Sequence, residues 1–382
     1  MSQLTVIKNA QIVLETGILF DGVLVLCNGK IVDFGRSTEI ERPTGATHID
    51  AKGAYVGPGF VDIHVHGGGG FSTCFEAARA ARHFLEHGET SILATTDYSM
   101  PLETVLSAIG TVKASLADAP TVRGIYMEGP YTNPRYGCNA HCNPWRHPID
   151  PVEYTQIVDA AGTFVRVWTV APEREGLAPF LAYARKVNPT VRFAVGHSEA
   201  TPAQIRAMGS VYRPSILTHA MNATGQLPVE EGTRAVGPDE YFMCDEGSYA
   251  EMICDSLAIH VKPEMQRLLL RTKGIGRMIL ITDSTHFANE SPARFAHIDD
   301  LNFNERGELA GSKMTMDQAC RNMMRHTDCG IAQAFRMASL NPARAVGLDA
   351  ERGSIERGKI ADLVFVDDHF NVQAVMLCGQ LC

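Results

Sequence analysis

Apolar and polar positions along this chain change rhythm twice. Over residues 1–57 the apolar runs are short or alternating, at 5–12, 22–26, 30–34 and 54–56, and predict strands. Asn28-Gly29 between two of these runs predicts a two-residue hairpin turn. The other end has the same rhythm, with predicted strands at 353–356, 361–366 and 372–377. The two ends are therefore expected to form one small β-sandwich domain, 1–57 plus 346–382, with residues 58–345 inserted between them. In that middle stretch, strand-like runs at 60–66, 90–96, 122–127, 164–170, 191–195, 215–218, 251–254 and 278–281 alternate with helical patterns. The helical patterns lie at 75–86, 102–116, 177–186, 202–208 and 263–271, and two more at 316–324 and 332–339 follow the last strand. Strands alternating with helices in this number predict a (β/α)8 TIM-like barrel. Residues 241–244 compete with 251–254 for the seventh strand.

In such a barrel, chemistry is carried at the C-terminal ends of the strands. The first strand ends in His64 and His66, which share a face because side chains alternate along a strand. Four glycines, Gly67 to Gly70, follow and leave backbone free of side chains beside them. The third strand ends in Glu128, the fifth in His197, the sixth in His219 and the eighth in Asp283. A buried histidine bonded to a carbonyl, or an aspartate capping a helix, is the ordinary role of each residue taken singly. Their joint placement at strand ends points instead to a metal-dependent hydrolytic site. Glu128, His197 and His219 offer O, N and N ligands and leave a position for water. His64 and His66 are placed to hold a second ion with Glu128 as a bridge, and Asp283 to take a proton from water. One or two divalent ions are expected, zinc first, with iron, manganese or cobalt also suited to the donors.

Composition narrows the partners. The 382 residues are 45% apolar and carry a net charge of −9 with no basic block, which argues against nucleic acid or an anionic membrane. No apolar run approaches the roughly 20 residues of a membrane span, and the first residues read as a strand instead of a signal sequence. Ten scattered cysteines suit reduced thiols in a cytoplasm. Cys138 and Cys142 flank His141, but no second cysteine pair lies near enough to complete a zinc site.

Several runs together resemble the amidohydrolase superfamily, and within it the N-acetylglucosamine-6-phosphate deacetylase group. They are Pro58-Gly59-Phe60-Val61-Asp62-Ile63-His64-Val65-His66-Gly67, Glu128-Gly129-Pro130, Gly196-His197-Ser198, His219 with Asn222-Ala223, Thr282-Asp283 and Leu309-Ala310-Gly311-Ser312. Ser339-Leu340-Asn341-Pro342-Ala343 and the run from Gly353 to Asp362 extend the resemblance to the tail. The resemblance implies that Glu128, His197 and His219 hold the principal metal and that Asp283 is the general acid and base. It further implies that His141 steadies the amide carbonyl, that His260 contacts substrate, that Asn222 and the Ala223 backbone hold the sugar or its phosphate, and that the protein is a homodimer.

The chain departs from that family around the substrate. After the sixth strand the family usually has a His-His-Arg-Glu-Pro-Gly run whose arginine binds phosphate. Here the chain reads from Gly225 through Glu230-Glu231 to Arg234, an acidic pair with Arg234 as the nearest replacement after a shift in register. Cys254-Asp255-Ser256 and Ser284-Thr285-His286 also depart from the family's Ala-Asp-Gly and Ala. The expected reaction is hydrolysis of the acetamide of an N-acetylated amino sugar, with an altered substrate. Hydrolysis of another N-acyl or cyclic amide fits less well, because the fourth strand ends in Thr169-Val170 where cyclic-amide enzymes carry a carboxylated lysine. A non-catalytic binding protein would not be expected to keep every metal ligand together with Asp283.

Overall fold

Eight parallel strands, each bonded to the next in chain order, wind through the middle of the chain. The computed structural model describes residues 3–225, 229–230, 232–287 and 289–382. The strands are Phe60–Val65, Glu89–Thr96, Val122–Met127, Val165–Val170, Arg192–Val195, Ile216–Leu217, Tyr249–Ile253 and Met278–Ile281. Every residue of the first, second and seventh strands is buried, as expected of strands covered on both faces.

The first and last strands close on each other through specific bonds. The Asp283 amide donates to the His64 carbonyl at 3.0 Å, and the His66 amide to the Ser284 carbonyl at 2.8 Å. Beneath them, the fully buried Asp62 carboxyl accepts from the Thr282 hydroxyl at 2.5 Å, the Thr282 amide at 3.3 Å and the His64 amide at 3.1 Å. The closure therefore sets His64, His66 and Asp283 side by side.

Helices follow the strands, and their apolar faces cover the barrel. Residues 241–244, the competing strand, belong instead to the helix Pro238–Cys244. Pro238 opens that helix at a position where proline is favoured, and Glu240 reaches back to the Gly237 amide at 3.2 Å. Local capping thus prevails over a short apolar run that periodicity leaves ambiguous. The acidic pair expected to repel phosphate lies in part outside the described residues, which include neither Glu231 nor Gln226, Leu227 and Pro228.

The two chain ends build the second sheet together. Its order is Gln380–Leu381, Val372–Leu377, Leu363–Val366, Tyr55–Pro58, Leu4–Leu14, Gly17–Cys27 and Lys30–Arg36, with Thr47–Asp50 pairing with Leu4–Leu14. The expected hairpin turn has φ of 49° at Asn28 and 77° at Gly29, the two positive values such a turn requires. Residues 353–356, predicted as a strand, form a bend instead. Gly353 has φ of 83°, and a Cβ there would lie 2.6 Å from that of Ala343, so the bend has room only for glycine at this point. The sheet meets the barrel at Phe60, Phe335 and Phe370, whose ring centroids lie 5.1–5.9 Å apart. Gly57 leaves room for Phe335, whose ring would lie 2.2 Å from an added Cβ.

Replacing Asp62 by alanine orphans three buried donors at the barrel seam. The expected loss of stability is about 3 kcal/mol, read from the urea midpoint. A change under about 0.5 kcal/mol would show that the seam does not depend on Asp62.

Candidate active site

Glu128, next after the third strand, is 4% exposed and meets four histidines. Its Oε1 lies 2.8 Å from His197 Nε2, 3.0 Å from His219 Nε2 and 3.7 Å from His64 Nε2. Its Oε2 lies 3.3 Å from His66 Nε2. The His197 and His219 Nε2 atoms are only 3.0 Å apart. Asp283 Oδ1 completes the group, 3.3 Å from His66 Nε2 and 3.7 Å from His64 Nε2. His197, His219 and Asp283 each follow a strand and have φ of 44°, 27° and 46°. Left-handed backbone is costly for residues with a side chain and collects at functional sites.

These contacts set the charges. Burial alone would raise the Glu128 carboxyl, but the charge of His197 and hydrogen bonds from His197, His219 and His66 hold it well below the usual range. Burial would lower the His219 imidazole, yet Glu128 draws it up to about 9. Burial would lower His66 as well, but hydrogen bonds to Asp283 and Glu128 raise it well above its ordinary value. Asp283 is lowered against its own burial by the bond to His66 and the charges of His64 and His66. The center thus balances two carboxylates with positive charge.

The donor atoms fit a divalent metal. Glu128, His197 and His219 form one trio, and Glu128, His64 and His66 another, with the atoms of each trio within 4.8 Å of one another. His64 Nε2 is buried and has no hydrogen-bond partner, as expected of a lone pair reserved for an ion. Its other nitrogen, Nδ1, donates to Glu251 Oε2 at 3.1 Å. Glu251 is fully buried in the seventh strand and also accepts the His219 amide at 3.1 Å. This is the carboxylate–histidine arrangement that fixes the tautomer of a metal-facing imidazole. The sequence reading overlooked Glu251. Its signal was a charged residue inside an otherwise apolar strand.

The cavity above this center holds about 340 Å³. Asn222, Ala223 and His260 line it, as do Asp97, Tyr98, Cys138 and Glu308, which the sequence reading did not single out. His141 lies in the short turn Ala140–Cys142, is exposed, and does not line the cavity; its loop neighbours Gly137, Cys138 and Asn139 do. Arg234 is also elsewhere. It lines a neighbouring cleft and pairs with Glu240 at 2.7 Å, its side chain 76% exposed. Where cyclic-amide enzymes place a lysine, Thr169 bonds to the Tyr126 hydroxyl at 3.1 Å and to Thr218 at 2.9 Å.

Replacing Glu251 by glutamine should weaken metal binding about 10- to 100-fold. Competition with a chelator, read by metal analysis, measures this. Unchanged affinity would remove Glu251 from the orientation of His64.

Residues 55–382 match the model of the Amidohydrolase family. The chain is 31% identical to the N-acetylgalactosamine-6-phosphate deacetylase of Escherichia coli O157:H7, over 98% of each chain. It is 28% identical to the N-acetylglucosamine-6-phosphate deacetylase of Bacillus subtilis (strain 168), over 100% of this chain and 98% of the relative. In three dimensions it is similar to N-acetylglucosamine-6-phosphate deacetylase from Pasteurella multocida, with a TM-score of 0.85 and 25% identity over 99% of each chain. The fold, the strand-end residues and these full-length likenesses lead to one conclusion: the chain belongs to the amidohydrolase family, in its N-acetylglucosamine-6-phosphate deacetylase group.

Proposed function

We propose that this chain hydrolyses the acetamide of an N-acetylated amino sugar, releasing acetate and the free amino sugar. Full-length likeness to deacetylases of N-acetylhexosamine phosphates supports this reading. The observation that carries it is Asp283 Oδ1 set 3.3 Å from His66 Nε2, beside the Glu128 trio under a sugar-sized cavity.

In this reading Glu128, His197 and His219 would hold the principal ion, and His64 and His66, together with Glu128, would hold a second. Zinc is the first choice for these donors, with iron, manganese or cobalt as the others. When bound, the metal supplies Lewis acidity toward the acetyl carbonyl and a water of lowered pKa. Asp283 takes the proton of the attacking water on its carboxylate and returns it to the departing amine. Its backbone is held beside that of His64 across the seam, where the Asp283 amide donates to the His64 carbonyl at 3.0 Å. Asn222 and the Ala223 backbone position the sugar. The carbonyl-steadying role of His141 rests on its resemblance alone; its side chain is three residues beyond Cys138 of the cavity wall. The reading includes a homodimer working in a cytoplasm, a setting that suits ten cysteines without a disulfide among the described residues.

Two outcomes follow. Exhaustive chelation should abolish acetate release, and adding back a divalent metal should restore it; full activity in the chelated protein would contradict the metal's role. Asp283→Asn should lower kcat by at least about a hundredfold while bound metal per chain is retained. Turnover near that of the parent protein would sink the assignment of Asp283.

A further inference from the structure

An imidazole that binds an ion through one nitrogen is aimed by the hydrogen bond its other nitrogen donates. Glu251 is that acceptor for His64. For His197 the acceptor is a backbone carbonyl. Its Nδ1 lies 3.2 Å from the oxygen of Tyr136, while Nε2 lies 2.8 Å from Glu128. A carbonyl in a loop fixes an imidazole only as firmly as the loop itself is held. Whatever holds the segment from Asn133 to Asn139 therefore belongs to the construction of the center.

The inner side of that segment wraps His197. The Asn133 amide donates to the His197 carbonyl at 2.9 Å, and the Tyr136 amide to the Asn133 carbonyl at 3.1 Å. Gly137 then passes close to the ring with φ of 110°; an added Cβ would lie 3.0 Å from His197 Nδ1 and 2.5 Å from the Tyr98 hydroxyl. The Tyr98 and His197 rings pack with centroids 4.7 Å apart, and the Tyr98 hydroxyl accepts from the Asn139 amide at 2.9 Å.

The outer side is gripped by Glu199. The Tyr136 hydroxyl donates to Glu199 Oε2 at 2.5 Å, and the Arg135 guanidinium reaches both Glu199 oxygens, at 2.8 and 3.2 Å. Glu199 is set in turn by Glu173, which accepts the Glu199 amide at 2.8 Å and the Ser198 hydroxyl at 2.7 Å. Asn133 Nδ2 stands between the two carboxylates, 2.9 Å from Glu173 and 3.4 Å from Glu199. Two carboxylates this near repel, and the pair is tolerated because every oxygen has a donor. Glu199 and Tyr136 line the neighbouring cleft, not the cavity above the center. Glu199 therefore reaches the chemistry through Tyr136 and His197, and not by touching substrate.

We propose that Glu199 is a positioning residue for His197. From the neighbouring cleft it holds Tyr136, whose carbonyl keeps the His197 Nε2 aimed at the ion. This rests on the reading of His197 as a ligand of the principal ion.

The test is the zinc affinity of the full-length protein, measured by competition with a chelator, with the fold checked by circular dichroism. Glu199 stands one step behind partners whose loss costs about 10- to 100-fold in metal affinity. Glu199→Ala and Tyr136→Phe should each weaken zinc binding at least about fivefold. Glu199→Gln, which still offers the Tyr136 hydroxyl an acceptor, should recover part of that loss. Combining Glu199→Ala with Tyr136→Phe should cost no more than the costlier of the two alone, because both act through one hydrogen bond. Arg135→Ala removes an ion pair whose arginine side chain is 68% exposed, and should stay within about twofold of the parent protein. Affinity within about twofold of the parent in both Glu199→Ala and Tyr136→Phe, or losses that add in the double variant, overturns the inference and leaves the metal reading standing. Should Glu199→Ala fail to fold, Tyr136→Phe decides by the same criterion. A parent protein that binds no zinc tightly overturns both.

Discussion

One buried carboxylate organizes this molecule's chemistry. Glu128 is almost withdrawn from water, yet it is held ionised by histidines from three other strands. A lone carboxylate at that depth would be neutral or destabilising. Here the cost is offset by His197 and His219 on one oxygen and His66 on the other, and a divalent cation would offset it further. Removing a single partner leaves the others as uncompensated charge. The four groups therefore act as a unit, not as a sum of pairs.

The barrel makes that unit possible by delivering each group from a different strand. Its closure brings His64, His66 and Asp283 together, because the same bonds that join the first and eighth strands fix the backbone of all three. The left-handed backbone at His197, His219 and Asp283 turns each side chain over the center as its strand ends. Glu251 adds a lower layer, tying the His64 ring to the His219 backbone through one carboxylate. The substrate face repeats that device with Asp255 beneath His260. The two carboxylate supports determine which nitrogen of each histidine is left without a protein partner.

Much of this was legible in the order of residues. Ligand-type side chains stood at the ends of apolar runs, and that placement survives any error of a residue or two in the strand bounds. The hairpin at Asn28-Gly29 was equally clear, because its chemistry is local. What escaped notice depends on contacts between distant segments. Glu251 stands 187 positions from the histidine it supports. The bend at Gly353 is set by packing against Ala343, and a short apolar run at 241–244 joins a helix because Pro238 and Glu240 cap it. His141 stands in the right motif and Arg234 is the nearest replacement for a missing one, but the folded chain exposes both away from the cavity wall. Sequence order cannot show which way a loop side chain turns.

The account stands most directly on Glu128 as the ligand common to both ion positions. Bound metal per chain in Glu128→Gln, measured by elemental analysis after removal of free ions, tests this. Loss of all tightly bound metal, with the fold retained by circular dichroism, is the predicted result. Retention of the parent protein's full metal content would contradict it.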